Sequence, residues 1–392
     1  MDKNTYDVVI VGGALLGGST AYHLLKANPA LKICVVERDP TYQRAPSAMS
    51  VAGIRVLFSQ EQNLRMSRYG REFYTNFGDL MEVDGERQPL HFWKQGYLFI
   101  ANTPEQAADM KLNYDFQISM GCEVELLDSA ALSKRYPSIA THDIVVATLS
   151  PHDGWIDPYG ALMGLRKKAR SMGAEYRHAE VAGIQRDGHK VTGVQLNTND
   201  VLQAGYVINC AGVWAPEVCK MVGMEIPVVP LPRTQFYFET QAKIEPLPLV
   251  RDQAGPGFRP EGAGFLSGLT NFESAGRFNW DVDYSYFDND IWPSLANRVP
   301  AFEAVKVKNA WCGHYAQNVF DGNMIIGSWT GEIDNFLIGT GCSGHGLQHA
   351  PAAGRGLSEL VLNGAFQTID LSRLSFERVL KNKPYPERGV KA

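Results

Sequence analysis

The chain has 392 residues, with 37 Lys and Arg against 42 Asp and Glu, a formal net charge of −5, and 45% hydrophobic content. That balance belongs to a folded globular protein and offers no basic footprint for nucleic acid. No apolar run approaches the roughly 20 residues of a membrane span, and the length allows two domains or one large domain carrying an inserted lobe.

The chain opens on Asp7-Val8-Val9-Ile10-Val11, and Val8 to Val11 reads as a parallel strand buried on both faces. Gly12-Gly13-Ala14-Leu15-Leu16-Gly17 follows as a glycine turn. It leads into a helix with apolar residues at Leu16, Ala21, Leu24 and Leu25, then a second strand, Ile33 to Val36, ending at Glu37. Strand, turn, helix, strand and acidic residue in this order make a βαβ dinucleotide-binding unit. Gly12 permits the tight turn, and Gly17 lets the helix approach the strand. The helix N-terminus presents N–H groups and partial positive charge to a pyrophosphate. Glu37 is placed to accept hydrogen bonds from ribose hydroxyls. Ala14 departs from the G-x-G-x-x-G pattern by one methyl, and Gly13 beside it absorbs the shift. The motif alone does not separate FAD from NAD.

No apolar signal core precedes this unit, so secretion is not expected. Cys34, Cys122, Cys210, Cys219, Cys312 and Cys342 include no C-x-x-C pair. Neither a zinc site nor a disulfide framework is expected, and a reducing cytoplasm is the natural setting. Cys34 and Cys210 fall within apolar strands as small buried hydrophobes.

Beyond Glu37 a polar loop, 44–50, leads through Val51 to Arg55 into a helix from Gln60 to Tyr69. Trp93 to Ile100 reads as a strand, Pro104 to Met120 as a helix, and 123–137 as a strand with a helical turn. Pro151 to Pro158 reads as a turn-rich connection into a helix from Tyr159 to Met172. The densest basic run, Arg166 to Arg170, lies in that helix and reads as a solvated face. A meander follows: Ala179 to Arg186, a turn at Asp187-Gly188, Val191 to Asn197, then the apolar strand Gln203 to Ala211. Trp214-Ala215-Pro216-Glu217 opens a helix. From Val228 to Trp311 the pattern predicts short strands with Pro and Gly turns and little helix. Phe336 to Gly341 is another buried strand, and Cys342-Ser343-Gly344-His345-Gly346 turns into a helix from Leu347 to Leu362.

Three of these segments carry a family resemblance: Val9 to Gly13 with Ser19 to Tyr22, Asn209-Cys210-Ala211-Gly212, and Gly341 to Gln348. Together they resemble the FAD-dependent D-amino acid oxidase superfamily on its sarcosine oxidase and glycine oxidase branch. Gly154-Trp155-Ile156-Asp157-Pro158, Ala350-Pro351 and Gly354-Arg355 look closest to the mitochondrial FAD-dependent oxidoreductase domain-containing proteins and their bacterial relatives.

The resemblance implies an α/β (α+β overall) fold: a Rossmann-like FAD-binding domain with an inserted, mainly antiparallel β substrate domain. The first takes 1–90, 145–227 and 320–392, and the second 91–144 and 228–319. It also implies FAD contacts from Gly12, Gly13, Ala14, Leu15, Leu16 and Gly17, and from Glu37 and Arg38. Further contacts fall on Ser47, Ala48, Ser50 and Val181, and on Ala211, Gly212 and Trp214. The last set is Gly344, His345, Gly346, Leu347 and Gln348, with the helix N-terminus at Ser343 to Leu347 placed to stabilise reduced flavin.

The activity implied is FAD-dependent oxidation of a secondary amine or N-substituted amino acid to an imine, which water hydrolyses. The implied catalytic set is Arg55, His314, Tyr315 and Gln348. By the spacing Ile54-Arg55-Val56-Leu57-Phe58, Arg55 takes the position of a carboxylate-binding arginine, and an arginine there can pair bidentately. Gln348 stands where relatives have a second cation. His314 and Tyr315 are expected to line the pocket over the flavin, and His345 to support the glycine turn. The strand Gly264 to Gly268 has no lysine at Leu266 or Ser267, which implies slow oxygen reactivity and another electron acceptor. Cys312 stands three residues before Tyr315, where covalent relatives have a cysteine two residues before a tyrosine, so FAD is expected to be non-covalent. Rival readings are a subunit of an opine- or sarcosine-type multisubunit oxidase and a non-catalytic flavin-binding assembly factor. No metal is expected; an oligomer is compatible with the sequence.

Overall fold

The computed structural model describes residues 4–389. The first strand, Thr5–Val11, lies in an eight-stranded sheet between Ile33–Glu37 and Val201–Asn209, parallel to both. Its side chains alternate between two cores: Val9 and Val11 enter one, Val8 and Ile10 the other. Both faces are therefore covered, which is what an unbroken run of β-branched residues requires. Ile333–Thr340 joins in parallel beside Val201–Asn209, and Glu175–His178 in parallel beside Ile33–Glu37. The antiparallel pair Val181–Asp187 and Lys190–Leu196 extends one side. The carboxyl ends of the parallel strands thus deliver their loops to one edge of the sheet, where ligands bind in such folds.

Helices Leu15–Ala27 and Gly346–Asn363 pack together over one face. Glycine sets their distance: a Cβ at Gly354 would meet the Ser19 Cβ at 2.7 Å and crowd its hydroxyl. Gly70, in the helix Glu61–Thr75, likewise passes directly over the Gln348 carbonyl. Pro351 removes the N–H that would bond the Leu347 carbonyl inside the helix, and the Tyr74 hydroxyl donates to that oxygen instead at 2.7 Å. Gly354→Val should destabilise the protein by about 3 kcal/mol through overpacking, read as a lowered urea midpoint with unchanged m-value. An unchanged midpoint would show that the two helices can part at no cost.

A second eight-stranded sheet holds Val228–Thr240 against Val305–Asn318 and continues through Gly264–Gly268, Gly257–Glu261, Leu249–Asp252 and Tyr97–Ala101. It is antiparallel except where Leu249–Asp252 meets Tyr97–Ala101. Phe236, Phe238, Phe258, Phe265, Phe287 and Phe302 fill its core.

Three details differ from the sequence reading. The strands of this lobe include two long ones, of 13 and 14 residues, and 284–298 is helical, with Pro293 opening Trp292–Arg298. Val146–Ser150, read as part of the cofactor domain, pairs in the second sheet between Tyr97–Ala101 and Glu125–Leu127. The expected connection after Pro151 contains a strand, Gly154–Ile156, between Gly53–Ile54 and Phe92–Trp93. Gly154 is required there because a Cβ would overlap the Trp93 carbonyl.

All six cysteines are free thiols, and five are buried. Among the described residues no helix is long and apolar enough to cross a membrane, and no group of three or more His, Cys, Asp or Glu is arranged to hold a metal ion.

Candidate active site

A cavity of about 690 Å³ runs along the carboxyl edge of the first sheet, within the roughly 300–1,000 Å³ range of ligand sites. The turn after the first strand supplies Gly12, Ala14, Leu15 and Leu16. Glu37 and Arg38 come from the end of the second strand, and Ser47 and Ser50 from the following loop. Val181, then Ala211, Gly212 and Trp214, form another wall. Gly344, Gly346 and Leu347 come from the C-terminal turn.

Gly13, Gly17 and Ala48 stand behind this surface. The Gly13 N–H donates to Glu37 Oε2 at 2.8 Å. A Cβ at Gly17 would overlap the Gly12 carbonyl oxygen, and Ala48 packs in the apolar cluster around Tyr42. The other Glu37 oxygen accepts from the Asp39 N–H at 2.9 Å. Burial raises the Glu37 carboxyl above its ordinary range, and the two N–H donors oppose that rise.

These residues fit a dinucleotide. Gly12 has φ +95°, and a Cβ there would lie 2.6 Å from the Cys210 carbonyl oxygen, so only glycine lets the turn pass. The two helices that open on the cavity, at Ala14 and at His345, have no side-chain N-cap. Their N-termini keep hydrogen-bonding capacity and positive potential for a ligand.

The sequence reading missed much of the wall. Tyr42, Gln43, Arg44 and Glu217 also face the cavity. The Arg38 guanidinium lies 3.8 Å from the Trp214 ring, which stacks on Phe278 at 5.9 Å; Phe278 stacks on Trp280, which faces Arg44. This ladder ties the 277–280 loop of the second lobe to the cavity wall.

A smaller chamber of about 60 Å³ adjoins the large cavity, and Ser50, Tyr315, Gly344 and Leu347 line both. Arg55 lines it, 5% exposed. Its Nη1 donates to the Leu57 carbonyl at 2.6 Å, its Nη2 to His345 Nε2 at 3.2 Å, and its guanidinium lies over Phe58 at 3.8 Å. Because arginine can only donate, His345 is neutral with its proton on Nδ1. Burial and the neighbouring Arg55 charge hold its pKa well below the ordinary histidine value.

His345 therefore supports the arginine in the chamber rather than only the turn. Ser343 makes the turn itself, at φ +46°, with its hydroxyl engaged by Gly341 and Asn318. Gln348 also lines the chamber. Its Oε1 accepts the Arg55 N–H at 2.8 Å, so this side chain fixes the arginine's backbone. The next residue is pinned too: the Val56 N–H donates to Asp153, a buried carboxylate paired with Arg71.

Tyr315 stands at the junction of the two cavities. His314, its neighbour on the strand, lines neither. Alternation turns it to the opposite face, against Trp280 and Phe278, where Nε2 accepts the Asn279 N–H. Cys312 lies on that side too, with Sγ donating to the Asn279 carbonyl. Among the described residues no lysine lines either cavity; Leu266 faces the chamber, and Ser267 donates to the Gly257 carbonyl.

Arg233, Arg251 and Arg259 complete the chamber, and none was read from the sequence. Arg259 is paired with Glu261.

Burial lowers His23 and His314 to about 4 and His349 to about 3, from 6.5. Between those values the unfolded chain binds more protons than the folded one. Stability is therefore full above pH 6.5 and falls as pH drops, each histidine adding a slope of about 1.4 kcal/mol per pH unit. Thermal scans should give a flat Tm above about pH 7 and a steep fall towards about pH 5, before most carboxylates titrate. A flat profile across that window would show that these rings are not buried neutral.

A profile of the family described as FAD dependent oxidoreductase (DAO) matches residues 7–360. The chain is 36% identical to the FAD-dependent oxidoreductase domain-containing protein 1 of Xenopus laevis, over 98% of this chain and 84% of that one. It is 28% identical to the mitochondrial sarcosine dehydrogenase of Homo sapiens, over 92% of this chain and 40% of that longer protein. Among solved structures, the L-proline dehydrogenase of P. horikoshii superposes with TM-score 0.88 at 22% identity, covering 97% of this chain and all of that one.

Proposed function

From the DAO family of FAD-dependent oxidoreductases, to which this chain belongs, we propose that it oxidises a secondary or N-substituted amino acid at the carbon next to nitrogen. The imine product is then hydrolysed to an amine and a carbonyl compound. The observation that carries this reading is the arginine-lined chamber adjoining the cofactor cavity through Tyr315, Gly344 and Leu347.

Bound FAD supplies the acceptor for the hydride equivalent, and the residues of the chain bind and orient around it. The glycine turn at Gly12 and the helix N-terminus after it receive the pyrophosphate, and Glu37 receives the ribose. The N-terminus of Gly346–Asn363 offers N–H groups and positive potential to negative charge in the large cavity. Arg55 anchors the substrate carboxylate, held from below by Phe58 and from the side by neutral His345. Gln348 and Asp153 fix the backbone on either side of that anchor. The substrate amine binds neutral, because only then does its lone pair assist C–H cleavage, and neutral His345 adds no further positive charge beside it. Among the described residues neither cavity wall has a lysine to favour reaction with oxygen, which supports an electron acceptor other than oxygen. The free cysteines support a reducing, cytoplasmic setting.

The test is anaerobic mixing of the flavin-loaded protein with secondary, N-alkyl and free amino acids, followed by admission of air. We expect bleaching by a secondary or N-substituted amino acid and slow recovery of colour. Fast recovery with peroxide would overturn the dehydrogenase assignment. Bleaching by none of the compounds would favour the assembly-factor reading, and turnover only with a co-purifying partner the subunit reading.

A further inference from the structure

The chamber beside the cofactor cavity holds more positive charge than one carboxylate can answer. Arg55, Arg233, Arg251 and Arg259 all line it, and among the described residues no Asp or Glu does. Arg259 has Glu261. Among the described residues, neither Arg55 nor Arg233 has a carboxylate within salt-bridge distance.

Arg233 is the sharper case. It is 6% exposed, and its Nη2 donates to the Gly268 carbonyl, while Nε and Nη1 have no acceptor. Two residues on, and hence on the same face of the strand, Gln235 also lines the chamber, with its Oε1 buried and without a donor. Buried donors and acceptors of this kind are normally satisfied, and a buried cation is normally paired. Here two donor nitrogens of a cation and one neutral acceptor are left side by side. Their complement is a carboxylate next to an N–H group.

Position separates this pair from Arg55. Arg55 lies 5.2 Å from the ring of Phe99, on Tyr97–Ala101, whereas Arg233 enters from Val228–Thr240, four strands across the sheet. The two cations reach the chamber from different sides. Arg251 lies between them on Leu249–Asp252, and burial lowers its pKa, with the charges of Arg233 and Arg55 adding to the fall.

We propose that the substrate is a dianionic amine, an amino acid with a second carboxylate, with one carboxylate on Arg55 and the other on Arg233, and the amine N–H on Gln235. This rests on the oxidation reading above and narrows it from N-substituted amino acids to those with two acid groups. The chamber adjoins the cofactor cavity at Tyr315, so a molecule held on these side chains lies beside the cofactor.

The test compares iminodiacetate with sarcosine as anaerobic reductants of the flavin-loaded full chain, and non-reactive glutarate with butyrate as ligands followed by the visible spectrum of the bound flavin. We expect iminodiacetate to exceed sarcosine by about 100-fold in kcat/KM, and glutarate to bind at least about tenfold tighter than butyrate. Arg233→Gln should collapse both ratios towards one, and Arg233→Lys should restore part of them. Equal behaviour of the one- and two-carboxylate compounds in the unaltered protein would overturn the proposal without any variant. So would ratios that survive in a folded, flavin-loaded Arg233→Gln protein. If no amine reduces the flavin yet glutarate still binds selectively, the oxidation reading falls and the dianion site stands.

Discussion

Gly17→Val should give a protein purified without flavin colour. A Cβ at this position would overlap the Gly12 carbonyl oxygen and meet the Ile10 side chain at 3.3 Å. The helix Leu15–Ala27 would have to move away from the strand it caps, and its N-terminus would move with it. Backbone is the obstacle, so no rotamer change relieves the clash. Overpacking should cost about 3 kcal/mol or more. Displacement of the helix N-terminus should weaken FAD binding by on the order of 100-fold or more. The ratio of visible to protein absorbance after desalting measures the second effect, and denaturant titration the first. A yellow, stable variant would mean that the glycine turn does not set the helix–strand distance.

Arg55→Met should leave the flavin bound and remove most turnover. The side chain lines the small chamber and is absent from the walls of the cofactor cavity. Methionine keeps the contact with Phe58 and loses the charge and the donors to the Leu57 carbonyl and His345. Loss of a buried charge-assisted contact with substrate should lower kcat/KM by about 1,000-fold, or roughly 4 kcal/mol. Arg55→Lys should recover little of it, because an ammonium cannot pair bidentately while also reaching His345. Rapid-reaction traces of flavin reduction measure this directly. A variant with normal flavin content and normal kcat/KM would show that the carboxylate is held elsewhere.

The nucleotide edge was legible in the sequence because its signals are local. Val8 to Val11, Gly12, Gly17 and Glu37 lie within 30 residues, and each has a backbone reason for its identity. The second such turn, at Gly341 to Gly346, was legible for the same cause. The chamber was not. Arg233 and Arg251 stand about 180 and 200 residues after Arg55, and an isolated arginine in a strand carries no mark of the cavity it faces. His314 was misplaced although period-two alternation turns its side chain away from that of Tyr315, onto Phe278 and Trp280. Gln348 was read as a lost cation, whereas its amide oxygen holds the backbone of Arg55. The strand Gly154–Ile156 was hidden among turn-forming residues, because its glycine answers to a neighbouring backbone rather than to a bend.

The sheet that binds the cofactor sets Thr5–Val11 beside Val201–Asn209, and that strand beside Ile333–Thr340. During synthesis, at about 5–20 residues per second, the first strand and its glycine turn emerge long before their neighbours exist. The binding edge closes only when the turn at Gly344 and the helix after it have left the ribosome. Until then the apolar face of the opening βαβ unit is uncovered and open to aggregation. Flavin has no finished site until that helix is in place, and it then stabilises folded molecules by mass action against the unfolded pool. Flavin supply is therefore expected to raise the cellular abundance of this protein through survival of the folded chain, with no change in its rate of synthesis.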